Sequence, residues 1–184
     1  MKLARLVALA VALGFCINLL APAAEDDKDI KAAVLKLAAA LEKGDKTTAK
    51  KLVDQLKKEE LDQVMDLMKP PAKNKGAIDV VKEGIEMKLN ALSKKAGDVA
   101  SNSANYEKMA RIVAAIAEVA TVKCPVEKKQ GDKDPKAWAE WVGDMKAGAK
   151  ALGEAAKAKD AKKVTAAAKK ITGACNNCHG VFRD

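Results

Sequence analysis

The chain has a single histidine, His179, and its aromatic content is 3%. Arginine is confined to Arg5, Arg111 and Arg183. One histidine excludes a pair of histidine ligands to a metal from within the chain, and it excludes a histidine acid–base couple. The scattered Asp and Glu residues form no acid–base constellation, so the sequence points away from an enzyme. A nucleic-acid reader would more often gather arginines and stacking aromatics on one element, and neither is present. The runs of β-branched and aromatic residues that mark strands are also missing. Beyond the first twenty residues there is no long apolar run, so no membrane span is expected in a processed chain.

Alanine, lysine, leucine and glutamate fill the space these absences leave. Their apolar members recur at helical spacing, which predicts an all-α fold. Helices are expected at about 27–43, 46–68, 77–96, 103–122, 136–157 and 160–181. Gly44-Asp45 breaks the first pair, Pro70-Pro71 through Gly76 makes a linker, and Gly97-Asp98 through Asn105 separates the next two. Asp134 before Pro135 starts the fifth helix, and Lys159-Asp160 turns into the last. A weak internal repeat relates Leu37–Leu56 to Leu152–Ile171, each with its turn in the middle. The last four helices have facing apolar stripes and predict an antiparallel four-helix bundle over residues 76–184. Residues 24–75 are then an additional N-terminal helical hairpin with its linker.

Residues 1–23 have the form of a secretory leader. Lys2 and Arg5 precede an apolar run from Leu6 to Leu20, and Ala21-Pro22-Ala23 offers small residues for cleavage after Ala23 or Ala24. Export to an oxidising compartment, the periplasm, is the expectation. Cys16 would be discarded, leaving Cys124, Cys175 and Cys178.

The last helix holds the most informative pattern. Val164, Ala168, Ile171, Cys175, Cys178 and Phe182 step by four and three, a seam that places both cysteines toward the core. Cys175-Asn176-Asn177-Cys178-His179 is a C-x-x-C-H run, the spacing of covalent haem attachment. Two thiols add across two vinyl groups, and the adjacent imidazole reaches the iron. One haem c is therefore expected, with His179 as proximal ligand. Other chemistries use the same residues. A zinc site would need Cys124 as its fourth ligand. A redox pair belongs at a helix N-terminus, where the thiol pKa falls. A plain disulfide would leave a haem-free helical interaction protein. A distal iron ligand must come from upstream of the motif, and the methionines are Met65, Met68, Met87, Met109 and Met145.

The motif and the residues after it, Cys175-x-x-Cys178-His179-x-x-Phe182-Arg183, resemble the class II c-type cytochromes, the cytochrome c′ and cytochrome c-556 group. The resemblance covers roughly residues 76–184; the preceding hairpin departs from a single-bundle member. It implies that Phe182 packs beside the haem and that Arg183, one turn from His179, meets the imidazole or a propionate. In c-556-like members a methionine of the first bundle helix completes the iron and the protein carries single electrons. Met87 is then the candidate, with Met65 or Met68 in its place if the 46–68 helix covers the haem. In c′-like members the distal side is open and binds a small gas such as nitric oxide or carbon monoxide. Expected partners are a redox protein with an acidic docking face, to which the formal charge, +9 in full and lower by the two of Lys2 and Arg5 after cleavage, would steer the chain, and a second copy of the chain. The same lysines are also an ordinary solvated surface.

Overall fold

Four of the helices begin at an aspartate whose side chain accepts a backbone N–H of the first turn. Asp45 accepts from Thr48, Asp98 from Ser101, Asp134 from Lys136 and Asp160 from Lys163, at 2.8–3.1 Å. Each satisfies a donor that the helix itself leaves orphaned. The hydrogen bonds hold Asp45, Asp98 and Asp160 below the usual carboxylate range. The computed structural model describes residues 23–183 except residue 75, with side chains from residue 29 onward. The leader expected at 1–23 and its cleavage point lie outside the residues described with side chains, as does Cys16.

The described chain is all-helical. Its helices are α1 (Ala23–Lys43), α2 (Lys46–Leu56), α3 (Leu61–Asp66), α4 (Ile85–Lys94), α5 (Val99–Thr121), α6 (Pro135–Lys157) and α7 (Ala161–Phe182). Among the described residues the one β-type pairing is an isolated bridge between Gln130 and Lys133. No described helix is long and apolar enough to cross a membrane.

The packing is bundle-like. α5, α6 and α7 lie against one another in sequence, α4 packs on α7, and α1 packs on α2 and α5. One apolar core runs from Ile30 of α1 to Ala174 of α7. The long helices approach closely because their facing residues are small. At Gly148 of α6 a Cβ would stand 2.7 Å from the Ile171 side chain and 3.2 Å from its backbone nitrogen. Glycine is therefore the residue that lets α6 and α7 meet there.

The two turns of the weak repeat share their geometry. Gly44 and Lys159 both take a left-handed conformation, φ 69° and 56°. Asp45 N–H donates to Ala40 C=O, and Asp160 N–H donates to Ala155 C=O, both at 2.9 Å. The following aspartate caps the next helix in each case.

Three expected elements need correction. The 46–68 helix is interrupted at residues 57–60, where Glu60 is extended (ψ 136°). The carbonyls of Lys57 and Glu59 in this break accept the Lys123 ammonium. The 77–96 helix is reduced to α4, residues 85–94. Residues 76–84 instead form a strap: Ile78 N–H donates to Leu67 C=O, and Glu86 N–H donates to Met68 C=O. Ile78 and Val81 are buried as expected, but from the strap. Gly84 ends it with φ 84° and ψ 155°, and a Cβ there would lie 2.5 Å from the Pro70 nitrogen. Finally, α5 starts at Val99, because Asp98 caps it directly.

Candidate functional site

Near its C-terminal end α7 loses its tight cover. Val164, Ala168, Ile171 and Ala174 are buried, Cys175, Cys178 and Phe182 are half-buried, and His179 and Arg183 are exposed. The partners that remain come from α6. Trp138 donates its indole N–H to Ala120 C=O at 2.9 Å, which fixes the ring at the base of the cleft. The Phe182 ring meets Trp138 and Trp141 edge-on, with centroids 5.1 and 6.1 Å apart. Three of the few aromatic side chains are thus gathered beside the motif.

The space left is a cleft with two lobes. The first is a pocket of about 100 Å³ whose walls include Trp138, Trp141, Met145, Leu89 and Met68. The second, about 890 Å³ and more open to solvent, is bordered by Lys57, Cys124, Pro125 and Phe182. Asp62, Met65, Trp138, Cys178, His179 and Arg183 border both. Cys175 opens on the first lobe only.

The electrostatics bear on the thiols. Burial pushes the Cys175 thiol up to about 11, and the nearby Glu86 carboxylate adds to the effect. Burial likewise pushes Cys178 up to about 11, helped by the neighbouring Cys175 and Cys124. Both groups are therefore neutral thiols at ordinary pH. A thioredoxin-type redox pair needs the opposite shift, so that chemistry does not fit this helix end. Cys124 is half-buried and points its Sγ at the Val126 carbonyl, 3.1 Å away. Cys124, Cys175 and Cys178 are all unpaired. Among the described residues no group of three or more His, Cys, Asp or Glu is placed to hold a metal ion, so the four-ligand zinc cage is not assembled.

The donor set suits haem better. A haem needs two thiols that can add to carbon and one accessible imidazole, rather than a closed cage. Cys175, Cys178 and His179 supply these within about one turn of α7, beside an aromatic wall open to solvent on one side.

The expected site residues are brought together unequally. Arg183 caps α7, donating its backbone N–H to His179 C=O, and borders both lobes. Phe182 packs on the two tryptophans at the edge of the second lobe. Met65 and Met68 line the cleft. Met87 does not: it is 51% exposed and lines neither lobe. The inward stripe of α4 is Ile85, Leu89 and Leu92, and Met87 projects away from it. Trp141, Glu86 and Asp62 are among the cleft residues that sequence reasoning passed over. The signal for Trp141 was its placement three residues after Trp138 in a chain with only two tryptophans.

No family model, curated protein or solved structure matches this chain.

Proposed function

We propose that the protein is an exported, monohaem c-type cytochrome that carries single electrons, of the class II kind that its C-terminal motif resembles. The observation that carries the reading is the meeting of both motif thiols and the sole imidazole of the chain at one aromatic-walled cleft.

The chemistry that haem would supply there is a one-electron ferric/ferrous couple. The residues of the chain do the rest. Cys175 and Cys178 would hold the group through thioethers, each thiol contributing its sulfur and its hydrogen across one vinyl double bond, so that nothing would leave and no net oxidant would be needed. The imidazole of His179, exposed at the cleft, is free to act as the proximal nitrogen ligand. Trp138, Trp141 and Met145 exclude water from one side of the cleft. Arg183 offers a cation for a carboxylate at the rim. The net positive charge of the chain would speed encounter with an acidic redox partner in the periplasm.

The test is the optical and electron-paramagnetic-resonance spectrum of the mature protein, made in a host with c-type maturation machinery. Reversible one-electron reduction with a low-spin ferric spectrum is expected. A high-spin spectrum that shifts on adding nitric oxide or carbon monoxide would favour the gas-binding alternative. Absence of visible absorption would leave the haem-free interaction protein.

A further inference from the structure

The cleft has a thioether on the side supplied by the N-terminal part of the chain. The geometry points to Met65, on α3 and outside the bundle helices, as the distal ligand of the iron. This rests on the haem reading above and extends it to a specific iron ligand.

Five methionines are described, and their positions separate them. Met109 is fully buried and lines neither lobe. Met87 is turned out to solvent. Met68 and Met145 line the first lobe, but both belong to the main core and are 9% and 5% exposed. Swinging either into the cleft would empty core volume, which costs stability in proportion to the cavity left.

Met65 differs on each count. It is half-buried, and it is the one described methionine that borders both lobes, as His179 and Cys178 do. It packs on the small cluster of Ala120, Trp138 and Val142, on which Cys178 and Phe182 also pack, and it touches the edge of the main core without being one of its buried members. An unbranched thioether with three rotatable bonds can change rotamer there without emptying a fully buried core position.

The backbone that carries Met65 is built to stay in place. The break between α2 and α3 redirects the chain over the cleft, and the Lys123 ammonium, from the end of α5, clasps the carbonyls of Lys57 and Glu59. Val64 and Leu67, on either side of Met65, are buried at 0% and 2% exposure. α3 is therefore anchored by its neighbours while Met65 faces the open space. In this arrangement the N-terminal hairpin completes the metal site, and a small gas could reach the iron only by displacing Met65.

The test uses the full mature chain from a maturation-competent host. Covalent haem is first measured on denatured protein; a chain without it would overturn the haem reading itself. With haem present, the ferric wild type should be low-spin, with a far-red methionine–iron charge-transfer band. Met65→Leu should lose that band, become high-spin and bind carbon monoxide when reduced, whereas Met68→Leu and Met145→Leu should keep the band. A high-spin wild type, or a band that survives Met65→Leu, would overturn the assignment while leaving the haem reading intact. A measurement without substitutions guards against a variant that fails to fold. Haloacetate alkylation of the native holoprotein at acidic pH, read by peptide mass, should modify Met87 and spare Met65. Modification of Met65 while the band persists would also overturn the assignment.

Discussion

The two halves of α7 obey the same sequence rule and do different work. From Val164 to Ala174 the seam is sealed against α6, closely enough that Gly148 has no room for a methyl group. From Cys175 to Phe182 the seam continues at the same spacing, but its residues are only half-buried. Small residues close the first half. In the second, Trp138, Trp141 and the broken α2–α3 segment hold the walls apart and leave a cleft. The spacing thus sets which way the side chains point, while the facing elements decide whether they meet a core or a cavity. A helix whose sealed half holds its open half rigid is suited to presenting reactive side chains at fixed positions.

Substitutions in the two halves should separate these roles. The largest effect is expected from Ile171→Ala in the sealed half. It removes a side chain with 0% exposure and should cost about 2–5 kcal/mol in chemical denaturation. A loss much below 1 kcal/mol would mean that the α6–α7 contact is not the rigid part. Next comes Gly148→Ala, whose new methyl would collide with Ile171; a destabilisation of about 1–3 kcal/mol is expected.

The open half should reveal itself through its thiols. Both cysteines are raised from 9.0 to about 11, so the thiolate fraction at pH 8 falls roughly a hundredfold. The greater nucleophilicity of a more basic thiolate recovers about half of that on a logarithmic scale. Alkylation of Cys175 and Cys178 in folded, haem-free protein should then run about tenfold slower than in the same chain in denaturant. The sign for stability follows. The folded state holds these protons more tightly than the unfolded one, so the stabilisation is full below about pH 9 and is lost as pH rises through 11. Melting of the haem-free chain between pH 8 and 11 checks this. The smallest effect has the opposite sign to Gly148→Ala. A Cβ at Gly173 of α7 would meet nothing within 4 Å, so Gly173→Ala should stabilise by about 0.5–1 kcal/mol. Equal effects at Gly148 and Gly173 would mean that the α6–α7 contact at Gly148 is no tighter than an uncovered helix face.

Much of this was legible in the sequence because it depends on local rules. The start of α6 at Asp134-Pro135, the cap at Asp160 and the α7 seam follow from capping chemistry and helical periodicity. The strap was not legible for a physical reason. Ile78, Val81 and Ile85 are spaced as in a helix, yet the first two reach the core from irregular backbone that hydrogen-bonds to residues 67 and 68. Gly84, needed for its positive φ and for the close pass of Pro70, was the overlooked marker. The break at 57–60 depends on Lys123, more than sixty residues away, and no local pattern announces such a partner. At the site, the positions of Cys175, Cys178 and His179 were readable from the motif. The stripe of Ile85, Leu89 and Leu92 already set Met87 toward its edge, and the structure turns it out to solvent.

Covalent haem at Cys175 and Cys178 is best tested by the intact mass of the denatured mature chain from a maturation-competent host. A mass greater than the polypeptide by one haem is expected, retained after acid extraction and lost in the Cys175→Ser, Cys178→Ser double variant. The bare polypeptide mass, or that mass less two hydrogens with Cys175 joined to Cys178, would contradict it.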